Sequence, residues 1–412
     1  MSDNHAEFPN LDTETLETKD SHVPIVNDDD YTRAMGEDLA TTLDLSTWQS
    51  GVNLIEMYHR VEQEVAESVH AEHGLKNKIR SEVFPALGNR PKAPEAAGLY
   101  KATSGMLKNV HQQILFNGGV EACDGTVVSH DTLPLTITQV GVCLVSYSGD
   151  QGSWVHRMYR RDMRSENPID TSGLLDLLDS REKRSAIGTD QGPDKITSLA
   201  RRGIMGYAER AILLDTSKAI WRMGHGSPVP YELLTGSGMV KLLDASLALL
   251  NRLIEDHKKF VFVPSAITGR VLPTLGHALD ALEYLIVETM EDAVLKIVRQ
   301  GHYTGQWRNY KGKLEDFAKT CGRNTVRGIY RVSRWAPPQI FYAHKNFAHE
   351  AALIAMSDSV LQQYRGFPML IDLADQTCTA SFGSEVFNST TQLAYANSGF
   401  PYCFMPERST RR

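Results

Sequence analysis

The sequence predicts an α/β fold: a mixed sheet flanked by helices, with a helical segment ahead of it. Three observations carry this. Residues 119–159 hold three successive runs rich in β-branched and aromatic residues, separated by short turns. Beyond them, stretches with apolar residues at three- and four-residue steps alternate with short apolar runs such as Phe260-Val261-Phe262-Val263. Ahead of them, Trp48, Val52, Ile55, Tyr58 and Val61 recur at helical spacing. Strands first, then helices alternating with strands, is the order of a mixed sheet covered by helices.

Residues 1–40 are polar and acidic and end near Asp28-Asp29-Asp30, so they are expected to form a disordered tail. Residues 41–94 form a helical segment, about 43–83, closed by a Gly- and Pro-containing linker at 88–94. Residues 95–412 form the main domain. Within it, strands are expected at 119–128, 135–147 and 154–159, an antiparallel meander with Ser148-Gly149-Asp150 at one turn. Helices are expected at 172–184 and 195–214, and a short strand at 218–223 leads into Gly224-His225-Gly226. A helix over 230–256, a strand at 260–263 and a helix over 274–299 follow. A β-like stretch over 328–344, a helix over 347–364 and a helix or turn carrying Asp372 and Asp375 close the chain.

Composition narrows the class. Of 412 residues, 42% are hydrophobic, enough for a substantial core, and 23% are charged, an ordinary share for a globular protein. The formal net charge of −7 counts mildly against nucleic acid, but the acid is concentrated in residues 1–45, and the remainder is near neutral or slightly basic. The tract Arg157, Arg160, Arg161 and Arg164 is either a phosphate contact or a solvated basic face. Five cysteines with no CxxC pair make a zinc ribbon or a disulfide framework unlikely and point to buried thiols of a cytoplasmic protein. No signal peptide and no membrane span are expected, since no run of about 18 apolar residues occurs.

Metal-assisted phosphodiester cleavage needs hard oxygen ligands that converge from separate elements. Four positions stand out. Asp124 interrupts an apolar strand, where a carboxylate is costly unless partnered, and Gly125 beside it permits close approach; a hairpin Asp-Gly is the alternative. Glu209 lies near the apolar face of a helix, beside Arg210, and is either a site acid or a helix acid paired to its neighbour. His225, between two glycines at a strand end, is either a ligand or a turn residue. Asp375, close after Asp372, is either a site acid or a helix cap.

In this order the pieces resemble the NurA family of nucleases, which partner the hexameric HerA translocase. Cys123-Asp124-Gly125-Thr126 matches the family's first Asp-Gly motif, and Tyr207-Ala208-Glu209-Arg210 its helix glutamate. Gly224-His225-Gly226-Ser227 falls at its second Asp-Gly-Ser, with His in place of Asp. Arg365-Gly366-Phe367-Pro368-Met369-Leu370, followed by Ala374-Asp375, matches its C-terminal segment, with Tyr364 at the place of an active-site tyrosine. The resemblance spans about residue 95 to the C-terminus.

The resemblance implies an RNase H-like sheet and a metal-dependent deoxyribonuclease acting in DNA end processing or antiphage defence. It makes Asp124, Glu209, His225 and Asp375 metal ligands and adds Tyr364 to the catalytic set. It also implies a homodimer on a HerA-like hexameric ATPase that feeds it DNA. Imidazole suits manganese better than magnesium, so Mn2+ is the favoured ion and Mg2+ the alternative. The same substitution opens a second reading, an inactive DNA-binding adaptor of an ATPase complex; Asp215 is a less apt replacement for the missing carboxylate. A third reading, RNA cleavage of the Argonaute type, lacks a recognisable guide-binding domain.

Overall fold

The computed structural model describes residues 28–48, 54–132, 135–160, 198–266 and 269–402. The chain divides into two units, Met1–Ala71 and Glu72–Arg412. In the first, α1 (Asp28–Met35) opens with Asp28, Asp29 and Asp30, where negative charge favours a helix start. The end of the acidic stretch is thus helical rather than a tail, and residues 1–27 lie outside the described ones. Asp38 caps α2 (Leu39–Leu43), and the Trp48 indole donates to the Thr42 carbonyl at 2.8 Å. α3 (Leu54–Lys78) starts in this unit and runs past Ala71, with Ile55, Tyr58 and Val61 exposed along it.

The second unit is built on a nine-stranded sheet. In chain order come β1 (Gly98–Lys101), α4 (Ser104–Val110), β2 (Val120–Thr132), β3 (Leu135–Ser146) and β4 (Gly149–Arg160). α5 (Ser198–Asp215), β5 (Trp221–His225), α6 (Tyr231–Leu234), α7 (Val240–Asn251) and β6 (Phe260–Val263) follow. Then come α8 (Val271–His277), β7 (Glu283–Thr289), α9 (Glu291–Gln300), α10 (Tyr310–Phe317), β8 (Thr325–Arg331) and β9 (Gln339–His344). α11 (Ala348–Val360), α12 (Met369–Phe382) and α13 (Ser384–Asn397) complete it. The sheet runs β1-β7-β8-β9-β6-β5-β2-β3-β4. β2, β5 and β6 are parallel at its centre, with antiparallel strands on both sides.

The β2-β3-β4 meander is as the alternation predicts. The stretch read as one helix over 274–299 is not: β7 occupies its middle. Glu283 to Val287 are buried, and a short continuous apolar run buried on both faces has no period that separates strand from helix. Residues 328–344 hold β8 and β9, with Pro337 and Pro338 in the connection. The long helix over 230–256 is broken at Ser237, whose φ is 50°. β1 and α13 were not anticipated, and the helix expected at 172–184 lies outside the described residues.

Two cores sandwich the sheet. Cys123, Val140, Val142 and Leu144 pack with Leu213 of α5 on one face, whereas Val120, Ala122 and Val145 pack with Leu370, Ile371 and Ala374 of α12 on the other. Side chains alternate along a strand, so Asp124, paired across to Cys143, points to the α12 face, and Gly125 faces α5. Cys123, Cys143, Cys321 and Cys378 are free and buried; Cys403 lies outside the described residues.

Candidate active site

β2 and β5 align with Cys123 opposite Gly224, so Asp124 and His225 are neighbours where β5 ends and β2 continues. The His225 Nδ1 lies 3.5 Å from Asp124 Oδ1. The other Asp124 contact is local: Oδ1 accepts the Gly125 N–H at 2.9 Å. His225 Nε2 is 2.9 Å from the Ser265 hydroxyl and accepts the Ser265 N–H at 3.3 Å. An Nε2 that accepts an N–H leaves the neutral ring its proton on Nδ1, facing Asp124. That bond to Asp124 is the largest cause raising the His225 pKa; burial opposes it, and the charges of Asp124, Glu209 and Asp375 reinforce it.

Glu209 approaches from the other face. Its Oε1 would stand 2.6 Å from a Cβ at position 125, so only glycine admits it there. Burial pushes the Glu209 carboxyl up to about 7; Arg210 opposes this, the charge of Asp124 adds to it, and His225 partly offsets it. Arg210 is 3.0 Å from Glu209 Oε2, but its remaining donors go to the carbonyls of Gly206, Ser227 and Pro228. It therefore ties α5 to the loop after β5 as much as it balances Glu209. Asp375, on α12, is also raised, by burial first and then by the charge of Asp124.

Asp124, Glu209, His225 and Asp375 thus share one electrostatic neighbourhood, fed by two strands and by helices from both faces. It is not a closed ligand cage: among the described residues, no three His, Cys, Asp or Glu side chains are gathered to hold a metal ion. Tyr364 stands apart, 70% exposed in the turn after α11, and among the described residues no hydrogen bond or ring contact joins it to these four. Asp372 is bound by Gln362 and Arg365. Asp215 pairs with Arg252. Arg157 donates to Gln139 at 2.7 Å; the Arg160 side chain, Arg161 and Arg164 lie outside the described residues.

Sequence reasoning missed two supporting residues, Ser265 and Asp358, and gave Phe367 no role of its own. Ser265 follows β6 with no motif around it. Phe367 meets the His225 ring edge-on at 6.1 Å. Asp358 of α11 is fully buried, accepts the Tyr147 hydroxyl, and accepts the Leu370 N–H at 2.9 Å. Leu370 is the second residue of α12, so Asp358 fixes where the Asp375 helix begins. Burial pushes its carboxyl up to about 6, against both bonds it accepts. A signal existed only for Phe367, which lies inside the Arg365-Gly366-Phe367-Pro368-Met369-Leu370 segment.

No protein-family model matches the sequence, and no curated protein matches it. Among solved structures, the chain is similar to the NurA nuclease from Sulfolobus solfataricus, at 9% identity and a TM-score of 0.44, covering 84% of this chain and 99% of that one. A NurA bound to dAMP and manganese matches at 9% identity and a TM-score of 0.45, covering 88% and 99%. An endonuclease V from Bacillus subtilis matches at 8% identity and a TM-score of 0.30, covering 69% and 91%. Among the described residues, no helix is long and apolar enough to cross a membrane.

Proposed function

We propose that this chain is a metal-dependent deoxyribonuclease whose site is the Asp124–Glu209–Asp375 neighbourhood. The observation that carries the reading is the imbalance of charge there. Asp124, Glu209 and Asp375 act on one another through charge without being gathered into a cage among the described residues, and Glu209 and Asp375 are both raised by burial and by the charge of Asp124. The donors are hard oxygens, the set that divalent cations such as Mn2+ or Mg2+ take. Asp124, Glu209 and Asp375 would hold the cation. When bound, it supplies an activated water and stabilises the leaving oxygen.

The chain's own groups prepare that site. Gly125 lets Glu209 reach the strand, Arg210 fixes the loop that carries His225, and Asp358 sets the start of the Asp375 helix. His225 has partners at both ring nitrogens, which favours bracing Asp124 over direct ligation. The ordered sequence motifs further support action on DNA as a homodimer with a HerA-like hexameric ATPase, in end processing or antiphage defence.

The test is cleavage of linear and circular DNA in Mn2+, Mg2+ or EDTA. Cation-dependent cutting of linear DNA is expected, and no cutting under any condition would refute the reading. A second reading is an adaptor that holds DNA or its ATPase without cutting. It is favoured by the absence, among the described residues, of a gathered three-ligand cluster and by the His225 ring set on Asp124. Cation-independent DNA binding without cleavage would support it.

A further inference from the structure

β9 runs antiparallel to both β6 and β8, so the loop 332–338 after β8 opens at the end of the sheet where β5 and β6 finish. On it, Trp335 is 67% exposed, and the Arg334 guanidinium lies 5.1 Å from the centroid of its ring. The neighbouring turn carries the exposed Tyr364. The two segments are joined. Ser333 Oγ donates to the Gln363 carbonyl at 2.6 Å, and Gly366, with φ +65°, sits so close that a Cβ there would be 2.8 Å from Ala336 Cβ. The turn then delivers Phe367 to His225.

Trp335 is exposed on a loop that is held, not loose. The Arg331 guanidinium donates to the carbonyls of Ser333, Arg334, Ala336, His277 and Leu279 at 2.8–3.3 Å. Ser333 Oγ also accepts the N–H of Trp335 at 3.2 Å and of Ala336 at 3.1 Å. A loop ordered in advance loses little freedom on binding, while its indole stays in water at a cost that burial would recover. The surrounding charge is positive. Among the described residues, Arg334 has no carboxylate partner, and Arg331 is satisfied by carbonyls alone; Arg365 is the one paired with an acid, Asp372. An aromatic face beside arginines is the chemistry that takes a base and its phosphate in single-stranded nucleic acid. A protein partner would call for a contiguous apolar patch, and here the neighbours are arginines.

The geometry points to Trp335 as a stacking platform for an unpaired nucleobase of the strand entering the site, with Arg334 serving the adjoining phosphate. This rests on the nuclease reading and sharpens it: the preferred substrate has unpaired bases, as a single strand or a frayed end.

The test measures binding of the full chain, in EDTA, to a fluorescein-labelled single strand of about 15 nucleotides, near the site sizes of single-strand binders. A blunt duplex of the same sequence is measured alongside. Stacking is worth roughly 1–3 kcal/mol per base, so Trp335→Ala should weaken single-strand binding about tenfold. Duplex binding should change far less, and Trp335→Phe should restore most of the affinity. Unlabelled strand should quench tryptophan fluorescence in the natural chain more than in Trp335→Phe. Unchanged single-strand affinity in Trp335→Ala overturns the proposal and leaves protein docking as the role of this loop. An equal loss on single strand and duplex also overturns it. Cleavage is scored separately: a chain that binds single strands through Trp335 yet cuts nothing loses the nuclease reading and keeps the platform. A chain that cuts DNA while Trp335→Ala binds normally loses the platform alone.

Discussion

Around β7 two buried carboxylates each have their own arginine. Glu283 is held by Arg80 at 2.6 and 3.1 Å, and Glu291 by Arg323 at 2.9 and 3.1 Å. The Arg323 bonds keep the Glu291 carboxyl below its ordinary range. Around β2, Asp124, Glu209 and Asp375 share one histidine and one arginine, and that arginine spends most of its donors on carbonyls. There the Glu209 carboxyl moves the opposite way, up to about 7. One fold therefore buries acids in two manners. Acids with an arginine each fasten elements together; the acids around β2 share their partners, and under the proposed reading that leaves room for a further positive charge.

Removing a group from each region should give opposite results. Asp124→Ala should reduce DNA cleavage to background while leaving thermal unfolding close to that of the natural chain, because it relieves repulsion instead of opening the core. Undiminished manganese-dependent cleavage by this variant would end its role. Arg80→Ala should do the reverse. It strands Glu283, 6% exposed, and should cost about 2 kcal/mol, less than a fully buried pair because Arg80 is 25% exposed. Denaturant titration would show this, with cleavage per folded molecule unchanged.

Asp358 provides a pH test. Its folded pKa, about 6, lies above the ordinary 3.8, so the stability it contributes is fully present below about pH 4 and is lost as pH rises through 6. Asp358→Asn removes that loss. The variant should compare worst with the natural chain below about pH 4 and improve relative to it by on the order of 2–3 kcal/mol by pH 8. A stability difference independent of pH would contradict the buried, proton-binding carboxyl. The smallest effect is expected at His225. If it braces Asp124, His225→Ala should slow cleavage about tenfold, as loss of a partner behind a ligand does, with the Mn2+ to Mg2+ rate ratio unchanged. A shift of that ratio toward magnesium in His225→Asp would make it a ligand.

The fold class was legible in the sequence, whereas for the site the sequence offered only a set of candidate residues. Asp124 and His225 each break a local rule, a carboxylate in an apolar strand and a histidine between glycines, and both are in the neighbourhood. Glu209 was visible only as a helix acid, since nothing in one sequence tells that glycine at 125 clears a place for it from the opposite face. The meander was legible because its strands alternate. β7 was not, because both its faces are covered and its apolar run carries no period. Ser265 and Asp358 act through partners 40 and 12 residues away, contacts that no local pattern encodes.

Under the proposed function, the acids around β2 are unbalanced in order to take a divalent cation. Thermal unfolding with and without Mn2+ tests it most directly and needs no assumption about substrate. A cation that binds the folded chain alone raises its midpoint in proportion to the logarithm of its concentration. The natural chain should show that rise, and Asp124→Asn combined with Glu209→Gln should lose it while Arg323→Ala keeps it. An equal rise in the doubly substituted chain, or no rise in the natural one, would contradict the account.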